Sequence, residues 1–310
     1  MIEIFYKTIP FFALIGLGYL AAITRFFSAE ATAYLTRFIF YFALSAMLFR
    51  FSSDLSLSEL YDPEFIYAYL SASLIIYFLA TAVAIFRKKV PSEAAVEAQC
   101  SVIGNVGFLG IPMLAILMGP KSVGFIMIIL AIDLIVFGSL IVLIIVASKD
   151  KKLDIFLFYR VLIGLMKNPM IVSIICGLLW SASGWSIPGP INDFIVMLGS
   201  AATPGALFAI GASLAQKSTE RFEVAAWLSF CKLVLHPFAV CIAVFYIFEV
   251  ELYAATVMIA AASLPVAGNI FMVAQHYNVA PKRASAAIFL STVLSIFTVS
   301  FTIAWVSNLN

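Results

Sequence analysis

Residues 101–114 read "SVIGNVGFLGIPML". Gly104, Gly107, Gly110, Asn105 and Pro112 crowd into this stretch, inside a segment otherwise apolar enough to cross a bilayer. Proline removes an amide donor and clashes with the preceding turn, and glycine weakens a helix. In lipid the freed N–H and C=O groups find no water. Irregular backbone at that depth must therefore face protein or a wet cavity. The stretch predicts a broken membrane helix built around a site.

The rest of the chain supplies the membrane. Of 310 residues, 64% are hydrophobic and 11% charged, and the mean hydropathy is +1.11. Soluble domains carry about 25% charge, so this composition describes a polytopic membrane protein. At about 20 apolar residues per crossing, hydropathy places ten spans. They are 4–23, 31–49, 65–86, 94–118, 122–147, 169–185, 191–215, 224–248, 252–275 and 283–306. The first is read as a retained span, since a basic leader and a clear cleavage site are lacking. The net charge of +2 indicates no nucleic-acid partner, and the four cysteines sit in apolar segments without metal-ligand spacing.

Fourteen of the 18 Lys and Arg residues fall on one side of this ten-span arrangement, three on the other, and Lys232 lies inside a span. The basic side is cytoplasmic by the positive-inside rule, which puts both termini outside. The most basic stretch, "SKDKKLDIFLFYRVLIGLMKNP", carries Lys149, Lys151, Lys152, Arg160 and Lys167 among apolar residues. It suits an interfacial helix or a plain loop equally. It divides the chain into a first repeat (1–150), a linker (151–168) and a second repeat (169–310). Five spans are an odd number, so two such repeats must lie in opposite senses, as in many secondary transporters.

Internal similarity agrees. "LSAMLF" (44–49) in the second span aligns with "TPGALF" (203–208) in the seventh. "IGNVGFLGIP" in the fourth is answered by "LPVAGNIFMV" in the ninth, so Gly104-Asn105 and Gly268-Asn269 fall near mid-depth, each near a proline, Pro112 and Pro265. Paired breaks at corresponding positions are the best sequence pointer to a transporter binding site. Each half-helix that restarts after a break offers unpaired N–H groups and about half a positive charge. Two such ends make a pocket suited to a carboxylate, and Asn105 and Asn269 can donate or accept beside it.

These residues carry a resemblance. "GNVGFLGIP" followed by "LPVAGNIFMVAQHYN" is similar to the auxin efflux carrier family, whose members include bacterial malonate and malate permeases. "NPMIVSIICGLLW" (168–180) and "TPGALFAIGASLA" (203–215) resemble its sixth and seventh spans. The similarity covers essentially the whole chain. It implies an all-α protein of ten transmembrane helices in two inverted five-helix repeats, with crossing broken helices 4 and 9 and elevator-like alternating access. The bile-acid sodium symporters share that fold. The family's crossover asparagine and proline map onto Asn105, Pro112, Pro265 and Asn269. The resemblance further implies an inner-membrane location in bacteria and allows a homodimer. Ser45 departs from the pattern, standing where the family often has a proline comparable to Pro204. The plant members' long hydrophilic central loop is absent.

Ionisable residues inside spans are expensive and usually functional. Asp133 lies mid-way along the fifth span, and Lys232 and His236 share a face of the eighth, just before Pro237. Asp133 and Lys232 are read either as an exchanging ion pair near the crossover or as a permanent structural pair. A third reading has the Lys232 ammonium where sodium sits in sodium-coupled relatives. His236 is a candidate proton relay, more simply a packing residue, and Gln99 is a candidate cavity-lining or packing residue. Arg87–Lys89 reads as a cytoplasmic anchor.

No catalytic constellation can be assembled. With only His236 and His276, a histidine metal site is excluded, and no phosphate-binding Gly-Lys-Ser/Thr motif occurs. The chain is expected to be no enzyme and to need no cofactor. The expected function is a secondary or facilitative transporter of a small mono- or dicarboxylate, with protons as a candidate coupling ion. The alternatives are a sodium-coupled bile-acid-type symporter and a non-transporting receptor on the same fold.

Overall fold

Local punctuation sets where each helix starts and stops. The computed structural model describes residues 2–55, 62–150, 163–164, 166–215 and 222–309. Among the described residues the regular elements are helical, apart from one isolated antiparallel bridge. Helix α1 (Ile2–Ile23) leads to α2 (Ala29–Ser53), which Ser28 caps by accepting the Ala31 N–H at 3.0 Å. Asp62 caps α3 (Pro63–Phe86) through the Phe65 N–H, and Asn168 caps α7 (Pro169–Ser183) through the Met170 N–H. Proline opens both helices, where its missing donor is harmless. Gly184, left-handed at φ 68°, ends α7.

The remaining helices are α4 (Pro91–Val102), α5 (Val106–Met118), α6 (Ser122–Ser148), α8 (Gly189–Leu214), α9 (Phe222–Ile247), α10 (Leu252–Ala262), α11 (Asn269–His276) and α12 (Pro281–Val306). Among the described residues, six of these helices are long and apolar enough to cross a membrane: α2, α3, α6, α8, α9 and α12. Shorter apolar helices lie at Thr8–Ile23, Val106–Met118, Pro169–Ser183 and Leu252–Ala262. The hydropathic segments 94–118 and 252–275 are each split in two, as the glycines and prolines predict. The basic linker falls almost wholly outside the described residues.

Two groups of helices form. In the first, α1 packs along the second half of α8, and α7 along the second half of α2. Backbones touch there: a Cβ on Gly18 would lie 2.0 Å from the Phe208 carbonyl oxygen, and one on Gly211 would lie 1.8 Å from that of Ile15. Small residues permit this close approach, as in other membrane helix pairs. In the second group, α3 packs on α4 and α9, while α9 packs on α10 and α12. Both α4 and α10 also pack on α6 and α12. The groups meet where α5 touches α8 and α1 touches α12.

Candidate functional site

The two breaks meet. Ile103–Asn105 runs extended and antiparallel to Pro265–Ala267, with Gly104 opposite Val266. The Asn105 N–H donates to the Pro265 carbonyl at 2.8 Å, and the Ala267 N–H donates to Ile103 at 3.0 Å. A third amide, that of Val266, is satisfied by the Ser291 hydroxyl of α12 at 3.1 Å. The backbone freed by breaking two helices is thus largely paired with the other break, which lipid demands. Because Gly104 faces Val266, the two Gly-Asn motifs stand two residues out of strict two-fold register. Asn105 lies within the ladder, whereas Asn269 opens α11.

The glycines here serve space, not unusual dihedrals, since none of those in the crossover has a positive φ. A Cβ on Gly104 would press on the Lys232 Cε and Nζ at 3.3 Å. At Gly268 a Cβ would meet nothing within 4 Å, so that position borders open space. The space is a cavity of about 20 Å³ lined by Gly104, Asn105, Gly107, Asp133, Gly268 and Asn269, among others. It has room for about one water. A second cavity of about 100 Å³ adjoins it, sharing Asn105 and Gly268 and bounded by Ile210, Ser213 and Leu214 of α8 and Phe271 of α11. It therefore lies on the boundary between the two helix groups. The first turns of α5 and α11 border the smaller cavity, so their positive dipole ends face it, while the Val106, Ile270 and Phe271 N–H groups already donate to the Gly104, Ala267 and Gly268 carbonyls.

The buried charges are arranged around this ladder, but not as a direct pair. Lys232, in a π-helical turn of α9 (Cys231–Leu235), is wholly buried and donates to the Ala262 carbonyl at the end of α10. Its Nζ is 3.2 Å from His236 Nδ1, and His236 Nε2 is 3.0 Å from the Ser73 hydroxyl. An ammonium donating to Nδ1 leaves the imidazole proton on Nε2, donated to Ser73. Asp133, in the π-helical turn of α6 (Asp133–Phe137), instead accepts from the Tyr69 hydroxyl at 2.9 Å. No ion pair within 4.0 Å joins Asp133 to Lys232, so of the three readings the permanent structural pair is not the arrangement seen. The ammonium is directed instead to the Ala262 carbonyl at the negative end of the α10 half-helix, which partly offsets its charge.

Of the residues singled out from sequence, the cavity brings together Gly104, Asn105, Gly268, Asn269 and Asp133. Lys232 packs against Gly104 without lining the cavity, and His236 stands behind it. Pro112 follows the π-helical turn Val106–Gly110 inside α5, and Pro265 lies in the ladder. Gln99 is buried in α4, outside the residues lining either cavity, with its Oε1 unpartnered.

A charge network escaped the sequence reading. Glu97, wholly buried in α4, is held by Arg87 from the end of α3 and by Arg283 of α12 at 3.0 Å. Arg283 also reaches Glu93 at 3.1 Å. Arg87 is therefore more than an anchor: it helps fasten α3, α4 and α12 together. The signal was present in "PSEAAVEAQC", where two carboxylates enter an apolar segment four residues apart and so share one helix face.

Comparison with known proteins matches this architecture to a family. A family model described as "Membrane transport protein" covers residues 3–303. The chain belongs to that family, the auxin efflux carriers. A protein of Rhizobium meliloti (strain 1021) named "Putative malonate transporter" is 29% identical over 303 residues, 97% of this chain and 95% of the relative. This family member is thus an integral membrane protein of a transport family, and the match runs through both breaks and both helix groups. The family and the relative are transporters rather than enzymes.

Proposed function

We propose that the protein is a secondary transporter of a small organic anion, a dicarboxylate of the malonate type, which binds at the crossover in the cavity of about 100 Å³, with one carboxylate toward the smaller cavity that shares Asn105 and Gly268. The observation that carries this reading is the antiparallel pairing of Ile103–Asn105 with Pro265–Ala267, which directs both Gly-Asn motifs and two half-helix N-termini at one cavity. The side chains of Asn105 and Asn269 and the positive ends of α5 and α11 hold the carboxylate. Pro112 and Pro265 keep the half-helices apart, and Lys232 adds positive charge from behind Gly104. The relative's name supports malonate as the first compound to try.

The reading extends to the whole fold. The packing of α1 on α8 is answered by that of α7 on α2, and that of α3 on α4 by that of α9 on α10. Such reciprocal pairings support two inverted repeats, 1–150 and 169–310, joined by a linker at 151–168. We take α1, α2, α7 and α8 as a scaffold, past which the other helices carry the crossover in an elevator-type movement. The cavity of about 100 Å³ on the boundary then leads toward the basic, cytoplasmic side, with both termini outside. Lys232 at the end of α10 takes the role of a coupling cation, so sodium is not required.

Counterflow of radiolabelled malonate in proteoliposomes tests the function, alongside a thermal-shift screen against organic anions, since a ligand of the native state raises its stability. Saturable malonate counterflow with a matching thermal shift is expected. Counterflow and shift by an unrelated cation or neutral solute alone would remove the reading.

A further inference from the structure

The crossover cavity holds an arrangement that anion binding alone does not explain. Asp133 is only 3% exposed and lines the cavity beside Asn105 and Asn269. Tyr69 donates to its Oδ1 at 2.9 Å, but Oδ2 is buried with no hydrogen-bond partner, and so is Oδ1 of Asn269. Two unpartnered acceptors therefore belong to the walls of a space that fits about one water.

The groups around Asp133 offer its carboxylate little compensation. From α3 come Tyr69 and Tyr77, the latter stacked near Phe137 at the end of the same π turn. From α9 come Lys232, beyond ion-pair distance and committed to Ala262 and His236, and His236, whose ring abuts Tyr69. Tyr253 of α10 lies against Phe125, two turns back along α6. The helix α4, which packs on α6, carries Cys100 and the Glu97 already held by its arginines. Met170 comes from α7, and the crossover contributes neutral groups.

An ionised Asp133 here would face a bound carboxylate with like charge and an orphaned lone pair. A carboxylic acid reverses both problems: its O–H supplies the donor that the cavity's acceptors lack, and the repulsion vanishes.

We infer that Asp133 is the proton-coupling group of this carrier. A proton from water on the side of anion entry forms the O–H bond on Oδ2 while the anion occupies the crossover. On the opposite side that bond breaks, and water takes the proton as the anion leaves. This inference rests on the crossover being an anion site.

The test has two arms on the full-length protein in liposomes. Infrared pH titration of wild type and Asp133→Asn reads the acid itself. A protonated-carboxyl C=O band that titrates in wild type and is missing in the variant is expected. In flux, with malonate as probe and potential clamped, one inward acid pH unit raises wild-type accumulation by about tenfold for one proton per anion. Asp133→Asn loses this gradient response, read as its own uptake with and without the gradient, whatever exchange rate it keeps.

A variant that retains the gradient response overturns the inference, as does a wild type without a titrating Asp133 band. So does accumulation that follows sodium instead of pH. If malonate does not move in wild type, the substrate reading fails alone, and the infrared arm still decides the role of Asp133. If Asp133→Asn does not fold, Tyr69→Phe serves: removing the one donor to Oδ1 shifts the titration of the same band, and an unmoved titration counts against the assignment.

Discussion

Lys232→Met isolates the charge behind the crossover. The Lys232 Nζ would lie 3.3 Å from a Cβ on Gly104, and in the proposed site a bound anion would touch Gly104 from the cavity that this residue lines. Two non-bonded contacts of about 3.5 Å put the charges about 7 Å apart. With an effective dielectric constant of about 20, that separation gives about 2 kcal/mol, or roughly 30-fold in Kd. The fold should survive the change. Losing the ammonium leaves the Ala262 carbonyl and His236 Nδ1 without their donor, a penalty of about 1–3 kcal/mol each. Removing a buried charge from a low-dielectric site offsets much of this, and His236 can move its proton to Nδ1. Titration calorimetry with malonate in nanodiscs, beside thermal unfolding, separates the two effects. A Kd within threefold of wild type in a folded variant refutes the claim that Lys232 acts on the bound anion.

Other perturbations address other parts of the structure. Replacing both Asn105 and Asn269 with alanine should abolish malonate binding while leaving a monodisperse, inserted protein; undiminished binding by calorimetry counts against the crossover as the site. Gly268→Val should fold normally, because a Cβ there meets nothing within 4 Å, yet lose malonate counterflow because its methyls fill the cavity; full flux would mean the space is not used. Glu97→Gln strips the carboxylate from between Arg87 and Arg283, and breaking such a buried pair costs about 3 kcal/mol or more. Its melting temperature should fall clearly, whereas Glu93→Gln, at a third-exposed carboxylate, should change stability by less than about 1 kcal/mol.

Much of the fold is legible because lipid makes composition and break residues so informative. Hydropathy places α9 within two residues of its observed ends, at 224–248 against Phe222–Ile247. The Gly-Asn and proline signals mark both breaks. Register is less legible. The motifs suggest that Gly104 and Gly268 correspond, but the ladder sets Gly104 against Val266, since backbone pairing depends on where the helices cross. The charged residues show the same limit. Sequence identifies Asp133 and Lys232 as costly, but which partner compensates each is a three-dimensional matter. The end of α10 serves Lys232 and Tyr69 serves Asp133, and neither follows from spacing along the chain. Glu97 was missed because its arginines arrive from two distant helices.

The two helix groups are held together by different physics, and this bears on how the proposed carrier would move. In the group of α1, α2, α7 and α8, backbones touch at Gly18 and Gly211, so any displacement of one helix along another collides with main chain. In the other group, the Glu97 network joins α3, α4 and α12, and the ladder joins the two breaks. Each group is thus stiff within itself. Their boundary is different: the methyl of Met170 meets Gly107 there, and Ile210, Ser213 and Leu214 face Phe271 across a cavity of about 100 Å³. A flexible methionine, small polar side chains and unfilled space resist sliding far less than interlocked backbone or buried ion pairs do. Motion is therefore easiest along this boundary. In the proposed carrier the crossover, with its ladder amides paired and its glycines at ordinary dihedrals, would travel as a preformed unit and not act as a hinge.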